Sequence, residues 1–355
     1  MAAETQATTR GATRLAAATL PIPPAGAARQ YSGPLYPYVP GPNPPGPPNH
    51  PYPQPPQHSS PGLPYPKAKA AVAAERAARE LTEFRIDTVG FSSSSVGWTK
   101  VAIVTGGASG IGEAAARLFA SSGVTVVIAD MQDALGEAVA ASAGCTYMRC
   151  DITDEAQVEA TVGAVVSAHG RLDVMLSNAG VLLPTGSVMD MDLAELDRVM
   201  AVNFRGAAAC VKHAARAMVS PNGPRGGAIV CTASVASLQG GFGPASYTAS
   251  KHAVLGLVRA AAGELGRHGV RVNCVSPSGV ATPMSCALMG IGPEELEAMT
   301  VPGNVLQGKV LRAEDVAEAA LFLASDQAGF INCHNLVVDG ATTVVNPAVL
   351  HAVGL

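Results

Sequence analysis

Val101-Ala102-Ile103-Val104-Thr105-Gly106-Gly107-Ala108-Ser109-Gly110-Ile111-Gly112 is the stretch on which the fold turns. Its first five residues are apolar or β-branched on both faces, as in a strand buried on both sides. Glycines 106, 107, 110 and 112 follow at once. They let the chain turn tightly and bring backbone N–H groups close to whatever lies above the strand. From Ile111 to Ser122 the apolar residues recur at helical spacing, which predicts an amphipathic helix. A strand, a glycine turn and a helix in that order form the entry to a parallel βαβ unit. The helix N-terminus then faces an anion at the strand end, where a pyrophosphate would fit.

Outward from this stretch the same alternation repeats. Apolar runs rich in valine and isoleucine occur at Thr125–Ala129, Leu172–Ser177, Ala228–Cys231, Arg271–Val275 and Asn335–Val338, with a weaker one at Thr146–Arg149. Helical stretches separate them, including long ones over Leu193–Val219 and Ala245–Arg267. Strands apolar throughout and divided by helices predict a single α/β domain, residues 98–345: a Rossmann-like doubly wound parallel sheet of seven strands. Residues 346–355 read as a C-terminal tail.

The first 97 residues are of another kind. They hold 18 of the 27 prolines. Proline at that density opposes helix and central strand and favours extended polyproline conformations, so residues 1–97 are expected to be a disordered arm and linker. The arm reads as a ligand for proline-recognising domains, as a targeting segment, or as an extension without function. Arg10, Arg14 and Arg29, with no acid between Glu4 and Glu75, suit targeting to a plastid; without it the expected location is the cytoplasm.

Composition excludes several classes of function. The chain has 355 residues, is 48% hydrophobic and carries a net charge of −4, so nothing points to nucleic acid or an acidic membrane. No apolar run reaches the length of a membrane span. The seven cysteines form no C-x-x-C pair and read as buried reduced thiols. The eight histidines show no ligand spacing, so no metal is expected.

Two ends of a site can be read in the residues. At one end, Asp130 closes the second strand about 20 residues after the glycine turn, where a carboxylate binds both ribose hydroxyls of NAD and repels the 2′-phosphate of NADP. Met131 and Gln132 follow it instead of an arginine, and Ser109 stands in the loop where a base would meet that phosphate. Asp130 could instead cap the next helix. Asp151, after the third strand, could accept from an adenine amino group or cap the helix over Asp154–Ala168. Asn178-Ala179-Gly180, after the fourth, let a cofactor lie against the backbone. At the other end, Tyr247 and Lys251 are four apart on one helix face, thirteen residues after Ser234. A cation there is expected to lower the phenol pKa, ordinarily about 10, and the serine to hold the oxygen that exchanges the proton. Alternatively Ser234 caps a helix and Lys251 is a solvated charge.

Together these residues resemble the short-chain dehydrogenase/reductase family. T-G-x-x-x-G-x-G is Thr105, Gly106, Gly110 and Gly112. N-A-G is Asn178 to Gly180. The helix asparagine is Asn203, the serine Ser234, and Y-x-x-x-K is Tyr247 and Lys251. Thr232-Ala233-Ser234-Val235-Ala236 and Gly279-Val280-Ala281-Thr282-Pro283-Met284 resemble a plant subgroup that includes secoisolariciresinol, xanthoxin and momilactone dehydrogenases and tasselseed-type proteins.

The resemblance implies an NAD-dependent oxidoreductase interconverting a secondary alcohol and a ketone. Ser234, Tyr247, Lys251 and Asn203 would be its catalytic set, with Asn203 holding a water that links Lys251 to solvent; a bond across a helix kink is the other reading of Asn203. Gly106, Ser109, Gly110, Ile111, Gly112, Asp130, Asp151, Ile152, Asn178, Ala179, Gly180, Tyr247, Lys251, Val280 and Thr282 would bind the cofactor. The substrate wall is expected from Leu182, Leu183, Leu238, Phe242, Met284, Leu288 and Met289, with Met284–Gly303 as a lid and Glu294, Glu295 and Glu297 on its outer face. An uncharged hydrophobic alcohol or ketone on a terpenoid, lignan or steroid-like skeleton fits such a wall. The family also implies a homotetramer or homodimer built through the long helices. An NADPH-dependent ketone reductase and a non-catalytic nucleotide-binding scaffold with a recruiting arm are the alternatives.

Overall fold

The computed structural model describes residues 100–349 apart from 185, 220–225, 304, 307, 347 and 348. The proline-rich arm and most of the expected tail lie outside the described residues.

Seven strands form one parallel sheet in the order β3-β2-β1-β4-β5-β6-β7. They are β1 Val101–Thr105, β2 Thr125–Asp130, β3 Thr146–Arg149, β4 Val174–Ser177, β5 Gly227–Thr232, β6 Val270–Pro277 and β7 Asn335–Val338. The strand order reverses at β1, which pairs with β2 on one side and β4 on the other. That reversal opens a crevice at the carboxyl ends of the strands, where a doubly wound sheet binds ligands.

Both faces of the sheet are covered, as the unbroken apolar strands require. Val101, Ile103, Val127 and Ala129 point to one core. Helices α3 (Glu155–His169), α5 (Ala207–Met218) and α6 (Ala245–Leu265) close it with Val158, Val162, Cys210, Met218 and Val254. Ala102, Val104, Val126 and Ile128 point to the other. That side is closed by α1 (Gly110–Ser121), α2 (Asp133–Ala143) and α9 (Ala313–Ala324), through Phe119, Val139, Val316 and Leu323. Alternation along β1 and β2 thus feeds two cores, the period-2 consequence of side chains that leave opposite faces of a strand.

The long helix expected over Leu193–Val219 is interrupted. It runs as α4 (Leu193–Met200), a π-helical turn (Ala201–Gly206) and α5. The short helices α7 (Pro283–Met289) and α8 (Pro293–Thr300) follow β6. Glu297 in α8 corrects an expectation. It is only 9% exposed and approaches the Arg312 guanidinium at 4.0 Å, so it faces inward, whereas Glu294 and Glu295 are exposed. Leu296 and Ala298, buried beside it, orient this turn of the helix toward the domain. No helix of the described residues is long and apolar enough to cross a membrane.

Candidate active site

The glycine loop is fixed by backbone contact. Gly106 donates its N–H to Ala129 O at 2.9 Å and has φ +67°, and a Cβ on it would stand 2.8 Å from Ala179 Cα. A Cβ on Gly112 would fall 2.0 Å from Gly106 O. No side chain fits at either position, so the loop lies directly on the chain after β4. Ser109 makes no side-chain cap bond to α1, leaving the first N–H groups of that helix uncapped by it and beside the cleft. A loop stripped of side chains under an uncapped helix N-terminus fits a pyrophosphate.

Asp130, 5% exposed, ends β2 at the cleft. Its Oδ2 accepts from Ala108 N at 3.0 Å and its Oδ1 from Gln132 N at 3.0 Å, so it ties the glycine loop to the β2–α2 turn. The N-cap of α2 is Gln132, not Asp130. Asp151 accepts from the backbone N and the hydroxyl of Thr153 at 2.9 and 2.8 Å, while the cap of α3 is Asp154. Asp151 and Ile152 both line the cleft.

Asn178 is a brace. Its Nδ2 donates to Thr105 O at 3.1 Å and its Oδ1 accepts from Thr232 Oγ1 at 3.0 Å, joining the ends of β1, β4 and β5. The hydroxyl of Thr105 accepts from the backbone N of Asn178 and Ala179. Thr105 and Thr232 hold motif positions in the sequence, but neither was expected to act as a brace; the threonine closing β1 in T-G-x-x-x-G-x-G was the available signal. Thr282 caps α7 in a capping box with Ser285, and a Cβ on Gly110 would lie 3.2 Å from its methyl group. Val280 and Thr282 are buried and line the cleft.

Tyr247 and Lys251 sit one turn apart on α6, 9% and 4% exposed. The Lys251 ammonium donates to Thr232 O at 2.8 Å and lies 5.5 Å from the centre of the Tyr247 ring. It is not a solvated charge. Burial brings its pKa down to about 8. Burial also pushes the Tyr247 phenol above its ordinary value, and the hydrogen bond from Ser234 acts in the opposite sense. In the chain alone the phenol therefore shifts opposite to the direction expected from the lysine. A phenolate taken out of water is penalised more than its neighbours repay, and the ammonium is directed at a carbonyl and a ring face. Ser234 also accepts from Ala236 N at 3.1 Å, capping the 3₁₀ turn Val235–Ser237, so its capping and tyrosine-facing readings coexist.

Asn203 lies in the π turn and is 1% exposed. Its Oδ1 accepts from Val181 N at 2.8 Å, and its Nδ2 donates to Val181 O at 2.9 Å and Ser250 Oγ at 3.0 Å. Both amide hydrogens are spent, so the side chain cannot donate to the expected water; only Oδ1 retains capacity. Ser250, the third residue after Tyr247, links Asn203 to Tyr247 O at 2.7 Å. A Cβ on Gly180 would lie 3.2 Å from Asn203 Oδ1 and 3.7 Å from Lys251 Nζ, so the glycine leaves room between them.

These residues surround one cleft of about 400 Å³. It runs from Asp130 and Gln132, past the glycine loop, to Ser234, Tyr247 and Met284. Of the expected wall, Leu182, Phe242 and Met284 line it; Leu183, Leu238, Leu288 and Met289 do not. Leu238 and Met289 are instead more than two-fifths exposed. Val181, Val202 and Val235 add to the apolar lining, and Lys251 is its one basic side chain among the described residues.

A doubly wound sheet with a glycine-loop cleft at its switch point, holding a buried serine, tyrosine and lysine, defines a nicotinamide-dependent oxidoreductase. Comparison with known proteins narrows this. Residues 106–343 match the family model described as enoyl-(acyl carrier protein) reductase. Over 249 residues the chain is 55% identical to short-chain dehydrogenase reductase 4 of Arabidopsis thaliana, covering 69% of this chain and 83% of that protein. It is 50% identical over 276 residues to sex determination protein tasselseed-2 of Zea mays, covering 69% and 81%. Among solved structures, levodione reductase superposes with a TM-score of 0.62 at 31% identity, covering 70% of this chain and 100% of that one. The chain belongs to the short-chain dehydrogenase/reductase family.

Proposed function

We propose that this chain is an NAD-dependent dehydrogenase interconverting a secondary alcohol and a ketone on an uncharged hydrophobic substrate, with Tyr247 as general acid/base. The observation that carries the reading is the cleft itself. A carboxylate stands at one end, and a buried phenol, hydroxyl and ammonium at the other, with the glycine loop between.

Asp130 would hold the ribose hydroxyls of the adenosine half, and among the described residues no basic side chain lines the cleft near it, which supports NAD over NADP. Gly106, Ser109, Gly110, Ile111 and Gly112 would hold the pyrophosphate. Asp151 and Ile152 would flank the adenine, and Asn178, Ala179, Gly180, Val280 and Thr282 the nicotinamide half. When bound, NAD supplies the hydride acceptor and a positive ring charge that favours a nearby phenolate.

Tyr247 Oη takes the hydroxyl proton of the substrate as the carbinol carbon is oxidised. Ser234 Oγ donates to the substrate oxygen and keeps it beside the phenol. Lys251 holds ribose hydroxyls and contributes positive charge. Asn203 positions Val181 and Ser250, and its Oδ1 can accept from a water shared with Lys251 across Gly180, which would renew the proton. General acid/base catalysis of this kind is worth about 10²–10⁴ in rate.

Val181, Leu182, Val202, Phe242 and Met284 support an apolar substrate of terpenoid, lignan or steroid-like bulk. A homotetramer or homodimer built through the long helices is the assembly that family membership supports, and light scattering of the purified chain would test it. The functional test is NADH formation with a panel of bulky secondary alcohols and their carboxylated analogues. The uncharged compounds are expected to turn over with lower KM. Turnover confined to the carboxylated compounds, or with NADP alone, would contradict the reading.

A further inference from the structure

The β2–α2 turn that presents Asp130, Met131 and Gln132 to the cleft is clamped from the edge strand. Register places Arg149 of β3 beside Asp130. Arg149 Nη1 donates to Met131 O at 2.9 Å and to Asp133 Oδ2 at 2.6 Å. Tyr147 Oη reaches Asp130 O at 2.8 Å and Asp133 Oδ1 at 2.7 Å. The ring of Tyr147 lies on Gly136, where a Cβ would come within 2.2 Å. Asp133 therefore engages a guanidinium with one carboxylate oxygen and a phenol with the other. Met131 and Gln132 line the cleft, and Arg149 does not. A full cation thus stands on the strand position paired with the carboxylate that faces the cleft, but is held outside the cleft lining with its charge matched by Asp133.

We propose that Asp133 is a specificity-determining residue. By tethering and neutralising Arg149, it keeps a cation away from the ribose hydroxyls beside Asp130 and so helps to exclude a coenzyme carrying a 2′-phosphate. This rests on the reading of Asp130 as the ribose-binding carboxylate. An arginine freed near a phosphate forms a charge-assisted, forked contact that a neutralised one cannot. The Asp133–Arg149 pair is itself largely exposed, with 51% and 60% of each side chain accessible. Breaking it therefore costs the fold little.

Calorimetric titration of the full chain with NAD and with NADP tests this without any need for turnover. The wild type should prefer NAD. Asp133→Asn should bind NADP about tenfold tighter than wild type, with NAD affinity nearly unchanged, and Asp133→Asn combined with Arg149→Ala should lose that gain. Asp133→Ser carries the same prediction should the asparagine variant not fold. A single variant that gains no NADP affinity, or a double variant that keeps the gain, overturns the proposal. A wild type that prefers NADP would overturn the reading of Asp130 itself, a result distinct from any variant's.

Discussion

Lys251 shows how the site is set against the stability of the fold. Its ammonium is 4% exposed, and burial holds its pKa at about 8, below the ordinary lysine value. Below pH 8 the amine is charged in both folded and unfolded chains, and the fold bears the full desolvation penalty. Between about pH 8 and 10.5 the unfolded chain binds the extra proton, so this group's contribution to stability rises with pH. Lys251→Met is therefore expected to melt higher than wild type at pH 7, by about 1–2 kcal/mol after loss of the bond to Thr232. The difference should shrink as pH rises through that window, and turnover should be lost. Thermal melts from pH 6 to 10.5 would check both the sign and the window. A melting temperature below wild type at pH 7 would mean that Lys251 is a net structural contributor.

At the scale of elements, the π turn Ala201–Gly206 places one amide where it can serve the loop after β4 and the helix that carries Tyr247. Asn203→Ala leaves Val181 N and O without these partners and frees Ser250. It is expected to cost about 1–3 kcal/mol of stability. Because Val181 and Leu182 form the apolar wall, KM should rise together with a fall in kcat, read from steady-state kinetics. Unchanged kinetics would confine Asn203 to packing. The π turn shows in the sequence only as the helix kink offered as one reading of Asn203, because its apolar spacing reads as one long helix. Only the outward bonds of Asn203, made to residues distant in the chain, mark the interruption. The strands were legible because both of their faces are apolar. β4 nevertheless starts at Val174 and not Leu172; the Asp173 side chain beside its first residue accepts from Val101 N and from Arg171. Glu297 was misread for a related reason: its partner Arg312 arrives from another helix, and no local pattern announces it.

At the scale of the whole molecule, seven parallel strands bring residues from Gly106 to Met284 to one crevice. That Asp130, Ser234, Tyr247 and Lys251 border one cleft follows from motifs, because each closes or follows an element at a recognisable place. The direction of the Tyr247 shift could not, because it depends on how completely two helices and a sheet exclude water from one phenol. The described residues that line the cleft run from 106 to 285, and deletion of residues 1–97 is expected to leave kcat and KM unchanged in the same NADH assay. A loss of activity on deletion would assign the arm a part in the site. The central claim is that Tyr247 exchanges the substrate proton beside a bound nicotinamide, and its most direct measurement is Tyr247→Phe, with NAD affinity by calorimetry and NADH formation on one accepted alcohol. The account predicts NAD binding within about twofold of wild type and turnover reduced by about 10²–10⁴. Turnover equal to wild type would contradict it.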